Sequence, residues 1–403
     1  MTEGKKKLLI LADDLTGALD SGVQLARKGD RVLISAQRKV SFEENTDVLV
    51  IDTETRHIPS QEAYRIVYDL VSEAIHTGIT RIYKKTDSGL RGNVGAELTA
   101  VLDASGEPRL AFVPAWPKMG RTTKEGIHYV NGEPLAESIF ARDVIDPVTE
   151  SEVAAWIHTQ SDVQVSRYTD EDPGSGIAVY DCTTDEELTE ISKHLFTGSE
   201  KYELTAGCAG LLEKFPGNNG EHRETEKITL GRQLLVLSGS MNDVTRNQLE
   251  DAEKKGALRV HAPMDRIISG TWSQAEIDAF ADEFQSKANT PIAIIDTMCE
   301  IGETVKRAEN PAQVIACSMG RLGGSLLERM SEKTFMIIGG DTLLGFIKEL
   351  GIQALEPVRE FASGTVLSRY TYEGTEHYLI TKSGGFGSTG QLTEIQKELQ
   401  EGI

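Results

Sequence analysis

The sequence has few cysteines and no long apolar run, and each shortage excludes a class of protein. Four cysteines, spread over 403 residues without a CxxC pair, argue against a disulfide framework and a structural zinc site. No apolar stretch approaches the roughly 20 residues that a membrane-spanning helix needs. The basic start MTEGKKK is followed only by LLILA before two aspartates, so we expect no signal peptide. We therefore expect a cytoplasmic protein whose four thiols, Cys182, Cys208, Cys299 and Cys317, are reduced.

The sequence also lacks an excess of positive charge. Its formal net charge is −21, which argues against nucleic acid or an anionic membrane as a partner. A phosphorylated or carboxylated small molecule is not excluded. Exposed charges are screened beyond about 8 Å at physiological salt, so a few local Lys and Arg side chains decide anion binding.

Short apolar runs alternate with helix-like segments along the whole chain. In the first part, apolar runs at 6–12, 31–36, 47–53, 81–86 and 109–115 predict strands, with helices between them. The pattern restarts with 233–240, 291–297 and 334–342. Alternation of this kind predicts an α/β fold with mainly parallel sheets. Ser60 is the predicted N-cap of the longest early helix.

The length of the chain predicts two domains. Residues 215 to 231, FPGNNGEHRETEKITLG, combine Pro, Gly, Asn and charge without periodicity and are the best linker candidate. We therefore predict a substrate-binding domain at 1–215, a linker at 216–230 and a second domain at 231–403. The predicted architecture is two α/β domains with an active-site cleft between them.

Polar side chains follow four consecutive predicted strands of the first domain. Ligands of parallel sheets bind beyond the carboxyl ends of the strands, so these side chains are candidates for one site. Carboxylates accept hydrogen bonds from sugar hydroxyls, and Lys or Arg can hold a substrate carboxylate. The pattern favours a small polyhydroxy acid as ligand. The candidates are Asp13, Asp14, Asp52, Thr53, Arg56, Lys84, Lys85, Asp87, Ser88, Arg91, Asn93, Lys118, Arg121, Thr122 and Thr123.

Simpler interpretations stay open for some of these residues. One of Asp13 and Asp14 could only cap the following helix. Lys84 and Lys85 alternate across their strand, so at most one of them faces the site. Asp52 and Arg56 alone could form a surface ion pair.

The second domain has glycine-rich segments where its predicted strands end. LSGS, GGDT and TKSGGFG carry Ser240, Asp341 and Lys382, and glycine lets backbone N–H groups approach a phosphate. None of these segments matches the Walker pattern or gives a clean dinucleotide-binding GxGxxG with an acid about 20 residues later, and GGDT alone could be a tight turn with an Asp cap. Together the segments favour nucleotide phosphate. A polyhydroxy acid and a nucleotide suggest phosphoryl transfer, with Mg²⁺ bridging phosphates and an Asp accepting the hydroxyl proton.

Five ordered motifs, ADDLTGA, KKTDSGLRGN, PAWPKMGRTT, GGDT and TKSGGFG, resemble those of the four-carbon acid sugar kinase family. The resemblance runs from about residue 8 to about residue 390. It implies a sugar-acid-binding N-terminal domain and a nucleotide-binding C-terminal domain. It further implies ATP-dependent phosphorylation of the 4-hydroxyl of D-threonate, D-erythronate or 3-oxo-tetronate.

The resemblance, together with the strand-end pattern, nominates site residues. The substrate-binding set is Asp13, Asp14, Arg56, Lys85, Thr86, Asp87, Ser88 and Arg91, and the ATP-binding set is Ser240, Gly339, Gly340, Asp341, Thr342, Gly384 and Gly385. Asp14 or Asp341 is the expected general base, ATP and Mg²⁺ the expected cofactors. The sequence leaves the Mg²⁺ ligands, the preferred acid and a homodimeric state open. A kinase of another small polyol or acid sugar and a non-catalytic two-domain sugar-acid sensor are the alternatives.

Overall fold

The computed structural model describes residues 7–143, 145–169, 174–197, 203–216, 228–298 and 311–402. The chain divides into two compact units, residues 1–223 and 224–403. Most of the predicted linker, and Cys299, lie outside the described residues. The linker at 216–230 therefore stays a prediction. Cys182, Cys208 and Cys317 are free thiols.

The first unit is built on a parallel sheet flanked by helices. Its strands follow the order β2-β3-β1-β4-β11-β5-β10-β9, and β6, β7 and β8 form a separate antiparallel sheet. The strands are β1 (Leu8–Ala12), β2 (Val32–Ser35), β3 (Val48–Asp52), β4 (Arg81–Lys85), β5 (Arg109–Val113), β6 (Arg121–Lys124), β7 (Ile127–Val130), β8 (Glu133–Pro134), β9 (Val165–Arg167), β10 (Gly176–Val179) and β11 (Leu204–Gly207). The helices are α1 (Leu15–Ala26), α2 (Ser60–His76), α3 (Val94–Ser105), α4 (Val153–His158), α5 (Asp185–Thr197) and α6 (Ala209–Glu213).

The second unit has a mixed sheet with the order β13-β14-β12-β15-β18-β17-β16. The first five of these strands are parallel, and β17 and β16 are antiparallel to their neighbours. The strands are β12 (Leu234–Ser238), β13 (Leu258–His261), β14 (Ile292–Asp296), β15 (Thr334–Ile338), β16 (Ala354–Ala362), β17 (Thr365–Tyr372) and β18 (Thr375–Lys382). The helices are α7 (Asp243–Lys254), α8 (Met264–Ile268), α9 (Gln274–Lys287), α10 (Pro311–Met330), α11 (Gly340–Leu350) and α12 (Gln391–Glu401).

Each unit has its own apolar core, made by strands that are buried on both faces. β1 and β12 read as continuous apolar runs, LLILA and LLVLS, and every residue in them is buried. Strands covered by helices on both faces have this composition, because neither face meets water. The predicted α/β class with mainly parallel sheets is confirmed.

The chain changes direction across the sheet at one point in each unit. In the first, β1 leads to β2 and β3 on one side, and β4 then lies on its other side. In the second, β13 and β14 lie on one side of β12, and β15 lies on the other. Reversal points of this kind leave a crevice at the carboxyl ends of the strands, which is where ligands of such sheets bind.

Several local predictions need correction. Ser60 is the first residue of α2 and not its N-cap, because Pro59 occupies the cap position without a side-chain hydrogen bond. Pro at this junction sets an extended backbone that leads into the helix. The sequence pattern also missed β11 and α10, because β11 is only four residues long and α10 carries glycines that weaken its helical signal.

Candidate functional site

The paired aspartates lie where β1 ends, at the reversal point of the first unit. Asp14 is the N-cap of α1, and its Oδ1 accepts a hydrogen bond from the Gly17 amide at 2.8 Å. Thr16 Oγ1 donates to Asp14 Oδ2 at 2.7 Å. The Asp14 side chain keeps 26% exposure, whereas that of Asp13 has 2%. Capping therefore explains one of the two carboxylates, and the capping residue is the one that a ligand can reach.

Arg56 holds the two aspartates together. Its Nε donates to Asp13 Oδ2 and its Nη1 to Asp14 Oδ2, each at 2.7 Å. The loop after β3 makes this possible, because Thr55 and Arg56 donate their amides to the Asp13 carbonyl. The alternative of a surface ion pair between Asp52 and Arg56 is wrong, since both are buried and the guanidinium binds the other two carboxylates.

Lys84 and Lys85 separate onto opposite faces of the sheet, as the alternation of β4 requires. The Lys84 ammonium is fully buried against Glu97 of α3, with Nζ 3.1 Å from Oε2. The Lys85 ammonium donates to the Thr86 carbonyl at 2.8 Å. A Cβ atom at Gly17 would lie 2.5 Å from Asp14 Oδ1 and 3.0 Å from Lys85 Nζ, so these two groups converge on α1. Lys85 is therefore the lysine that joins the cluster.

The loop after β4 adds a second arginine and a second pair of acids. Arg91 donates to both carboxylate oxygens of Asp87, from Nε at 2.9 Å and from Nη2 at 3.0 Å. Its Nη1 donates to Asp143 at 3.0 Å. Asp87 Oδ1 also lies 3.8 Å from Arg56 Nη2, which links the two arginines into one network.

The same loop is held from outside by His128, a residue that no sequence signal singled out. Ser88 offers its carbonyl to His128 Nε2 at 3.1 Å, while His128 Nδ1 meets Thr123 Oγ1. Burial lowers the pKa of His128 to about 4, so this ring is neutral at neutral pH. Thr86 donates its amide to the Gly207 carbonyl, and its buried hydroxyl has no hydrogen-bond partner among the described residues.

The carboxylates of this cluster differ in whether their pKa is lowered or raised. Burial alone would raise the pKa of Asp14, but Arg56 and Lys85 outweigh it and hold that pKa below its usual range. The pKa of Asp87 is lowered in the same way, against burial, by Arg91 and Arg56. Burial and the nearby charges of Asp14 and Asp13 instead raise the pKa of Asp52 to about 8. Asp52 is therefore protonated at neutral pH, and the other two are ionised.

Of the two cations predicted in the loop after β5, Lys118 and Arg121, Arg121 lies near this cluster and Lys118 does not. Lys118 is exposed and pairs with Glu213 at 3.2 Å. Arg121 begins β6 and places its guanidinium over the Phe140 ring, with Cζ 5.6 Å from the centroid. Arg91 lies over the same ring at 5.1 Å. Arg121 therefore lies beside the loop that carries Asp87 and Arg91.

Three predicted glycine-rich segments meet at the reversal point of the second unit. A Cβ atom at Gly239 would lie 1.9 Å from Thr342 Oγ1, and one at Gly384 would lie 2.3 Å from Ser240 Oγ. Gly339 has a φ of 110° and donates its amide to the Lys382 carbonyl at 3.0 Å. The ends of β12, β15 and β18 thus approach so closely that side chains would not fit. Exposed backbone amides in such a cradle suit phosphate oxygens.

Further polar groups of the second unit point to an anionic ligand. Gly340 starts α11, and Asp341 is exposed in its first turn, so Asp341 is not the cap of this helix. Gly385 is exposed next to Gly384. Lys382 is 1% exposed and donates to the Ser383 carbonyl at 2.8 Å. Burial lowers the pKa of Lys382 to about 7, and a bound anion would favour its charged form.

The donor set of this cradle also suits Mg²⁺ held mainly by phosphates. Among the described residues, no three His, Cys, Asp or Glu side chains cluster as a complete metal site. Mg²⁺ usually keeps several waters and takes one or two carboxylates plus substrate phosphates. Asp341 and the hydroxyls of Ser240 and Thr342 are the oxygen ligands at hand. The residues present therefore fit a nucleotide-bound Mg²⁺ better than a protein-only metal site.

Comparison with known families assigns one domain type to each half of the chain. Residues 8–215 match the family model of a sugar-binding N-terminal domain, and residues 235–392 match that of a nucleotide-binding C-terminal domain. In the parts of the chain that the structure describes, no helix is long and apolar enough to cross a bilayer.

Curated relatives align over most of the chain. The D-threonate kinase of Salmonella typhimurium is 32% identical over 98% of this chain and 99% of its own length. The D-erythronate kinase of Heliobacterium modesticaldum is 30% identical over 67% of this chain and 65% of its own. The 3-oxo-tetronate kinase of Escherichia coli is 26% identical over 86% of this chain and 96% of its own.

Solved structures share the fold. A Salmonella typhimurium protein superposes with a TM-score of 0.80 at 22% identity, over 97% of this chain and 99% of its own. A Haemophilus influenzae protein superposes with a TM-score of 0.71 at 21% identity, over 97% of this chain and 100% of its own. At these identities the likeness concerns the architecture alone.

Proposed function

The protein belongs to the four-carbon acid sugar kinase family, and on that premise we propose that it transfers the γ-phosphate of ATP to the terminal 4-hydroxyl of a four-carbon sugar acid. It is a sugar-acid kinase, and the candidate acids are D-threonate, D-erythronate and 3-oxo-tetronate. A D-threonate kinase is 32% identical to this chain over 98% of its length, so D-threonate is the first acid to test. A cytoplasmic location is part of the proposal, because the reaction consumes ATP.

One observation supports this proposal more than any other: the ion network of Asp13, Asp14, Arg56, Asp87 and Arg91 lies at the sheet reversal point of the sugar-binding unit. Two arginines hold these acids in fixed positions. A carboxylate fixed in this way accepts sugar hydroxyls with little ordering cost, which favours recognition of one hydroxyl arrangement. An apolar ligand would leave the network unused.

Asp14 is the proposed acceptor of the hydroxyl proton. Its Oδ2 already accepts two hydrogen bonds, from Arg56 and Thr16, so Oδ1 keeps a lone pair for the substrate hydroxyl. Its lowered pKa keeps it ionised during turnover. In a loose phosphoryl-transfer transition state the proton leaves late, so orientation of the hydroxyl matters more than base strength.

The glycine cradle of the second unit is the proposed site for ATP. Ser240, Gly339 through Thr342, and Gly384 with Gly385 would bind the phosphates through amides and hydroxyls. Asp341 places a negative charge beside the proposed phosphate site, which is compatible with phosphate only when a cation lies between them. Mg²⁺, when bound, neutralises charge on the phosphates. Asp341 is thus the proposed protein ligand of that ion, and Asp14 the preferred base.

The proposal is tested by measuring ADP release from the full-length protein with MgATP and each of five acids. These are D-threonate, L-threonate, D-erythronate, L-erythronate and a 3-oxo-tetronate. We expect one acid to have the highest kcat/KM and its product to carry phosphorus on O4, as read by ³¹P–¹H correlation. Absence of turnover with all five acids would refute the proposed substrate class.

A matched variant tests the role of Asp14. Asn keeps a side-chain oxygen for the Gly17 amide, so Asp14→Asn retains the helix cap and removes the charge. We expect kcat to fall about 100-fold or more, with thermal stability close to that of the wild type. Turnover at the wild-type rate would exclude Asp14 as proton acceptor.

A further inference from the structure

The positive charges of the sugar-binding unit differ in whether a carboxylate already neutralises them. Arg56 is bound by Asp13 and Asp14, and Arg91 by Asp87 and Asp143. Lys85 and Arg121 have no carboxylate within ion-pair distance among the described residues. Within the described part of the chain, Lys85 donates only to the Thr86 carbonyl, and Arg121 only to the Met119 carbonyl, from Nη1 at 2.5 Å. These two cations are available for an anionic ligand.

Arg121 presents the edge of its guanidinium that fits a carboxylate. Nη1 is occupied by the Met119 carbonyl, while Nε is buried without a hydrogen-bond partner among the described residues. The donors that no described residue uses are therefore Nε and Nη2, which are parallel and match the two oxygens of a carboxylate. A buried N–H without a partner costs free energy, which a ligand oxygen would recover.

The backbone holds this guanidinium in place. Arg121 exchanges two backbone hydrogen bonds with Trp116, and Gly120 before it has a φ of 70°. The turn between Trp116 and Arg121 thus folds back over the carboxyl end of β5. Phe140 supports the guanidinium on one face at 5.6 Å. The side chain is fixed from two directions before a ligand arrives, which lowers the entropy cost of binding.

Lys85 and Arg121 both lie near the end of β11, where Cys208 follows the strand. β4 and β5 lie on either side of β11, so their ends are about 10 Å apart, and both side chains are long enough to lean across β11. Burial raises the pKa of the Cys208 thiol, which follows β11, and the charges of Lys85 and Arg121 both oppose that rise. Both cations therefore lie near the end of β11.

We propose that Arg121 binds the carboxylate of the substrate through Nε and Nη2, with Lys85 as the second cation, so that Arg121 determines specificity for acids over neutral polyols. The inference rests on the proposed function. Asp14 would then hold the hydroxyl end and Arg121 the acid end of the same molecule. A neutral four-carbon polyol would leave the Arg121 donors unpaired, and a site built around such donors discriminates strongly against it.

The experiment compares Arg121→Gln with Lys118→Gln, which removes an exposed cation from the same turn. Dissociation constants are measured by calorimetry for the preferred acid and for its primary amide, a neutral isostere, and KM is measured for ATP. We expect Arg121→Gln to weaken acid binding about tenfold or more, as expected for loss of charge-assisted hydrogen bonds. Amide binding and the KM for ATP should change less than threefold, and Lys118→Gln should resemble the wild type.

Other outcomes would overturn the inference. Equal weakening of acid and amide by Arg121→Gln would assign Arg121 a purely structural role, and unchanged acid binding would remove it from the site. Arg121→Lys keeps the charge without the fork and serves if the Gln variant does not fold. An acid affinity of Arg121→Lys between those of the wild type and Arg121→Gln supports the proposal. If Arg121→Gln does not fold, a measurable loss of less than tenfold in Arg121→Lys supports it. An affinity of Arg121→Lys equal to that of the wild type contradicts bidentate binding by the guanidinium. If the wild type turns over no acid, the proposed function fails first.

Discussion

At the scale of single residues, the most informative groups are those whose ionisation differs from that in water. Asp52 is 1% exposed, accepts one hydrogen bond from the Glu54 amide, and has no partner for Oδ2 among the described residues. Its neighbours Asp13 and Asp14 both contact Arg56, which with Lys85 holds the pKa of Asp14 below its usual range. Burial, together with the nearby carboxylates of Asp14 and Asp13, disfavours a further negative charge here, which is why Asp52 remains protonated.

The raised pKa of Asp52 makes stability depend on pH. Between the ordinary Asp value and about 8, the folded state holds a proton that the unfolded state has released. The free energy of unfolding therefore falls as pH rises through this interval and levels off above it. Asp52→Asn removes this titration. We therefore expect the free energy of unfolding of Asp52→Asn, relative to that of the wild type, to increase by at least about 1 kcal/mol from pH 5 to pH 8.

Urea unfolding at several pH values measures this effect. Asp69→Asn, an exposed substitution on α2, is the matched control and should run parallel to the wild type. Parallel curves for Asp52→Asn and the wild type would mean that Asp52 is already ionised in the folded state. The sequence could not predict this ionisation, because it depends on which carboxylates Arg56 binds.

At the scale of elements, the contact between α10 and α11 positions the GGDT segment. A Cβ atom at Gly345 of α11 would lie 2.1 Å from the Ala316 carbonyl of α10. One at Gly320 of α10 would lie 2.4 Å from the Gly345 carbonyl. Backbone meets backbone here, so neither helix can move aside without shifting as a whole. Because α11 begins at Gly340, its position also sets that of Asp341 and Thr342.

Replacement of Gly345 by Ala should therefore affect both stability and nucleotide binding. We expect Gly345→Ala to lower the free energy of unfolding by about 1–3 kcal/mol through overpacking, and to raise the KM for ATP. Gly324→Ala is the control in α10, because its Cβ would meet only the end of the Leu350 side chain, at 3.2 Å. Alanine favours helix over glycine by up to about 1 kcal/mol, so Gly324→Ala should be as stable as the wild type or more.

Chemical unfolding and ATP-dependent kinetics on both variants give the answer. If Gly345→Ala behaved like Gly324→Ala in both measurements, the close approach of the two helices would not constrain the GGDT segment. The sequence indicated the GGDT turn, but it did not indicate α10, and so it could not reveal what holds the turn in place.

At the scale of the whole molecule, the chain consists of two compact units with separate cores. Leu9, Ile51 and Phe112 belong to the core of the first unit, and Leu234, Met336 and Ile380 to that of the second. Units of about 150–200 residues with their own cores can unfold as separate cooperative transitions. Binding of a ligand to one folded unit stabilises that unit by mass action.

Scanning calorimetry of the full chain should therefore resolve two transitions that respond to different ligands. We expect the preferred acid to raise the midpoint of the larger transition and ATP that of the smaller. At 100 times the dissociation constant, each ligand should add about 2.7 kcal/mol to its own unit. A neutral four-carbon polyol is the control and should shift neither. One transition raised equally by either ligand would contradict two independently responding units.

The order of residue types along the chain is enough to predict the fold class and the edge of each sheet at which polar groups gather. Alternating apolar runs and helices require parallel strands, and the carboxyl ends of parallel strands face the same way. The positions of Asp13 and Asp14 after β1, and of the glycine segments after β12, β15 and β18, follow from this local order.

Which of these groups form ion pairs depends instead on how the chain folds. Strand order is set by contacts between distant parts of the chain, such as β11 between β4 and β5, and a local pattern carries no record of it. Because of these long-range placements, Arg56 binds Asp13 and Asp14 rather than Asp52, and two Arg121 donors meet no acceptor in the described part of the chain. Charge pairing depends on distances of a few ångströms, which residue types and spacing along the chain do not encode.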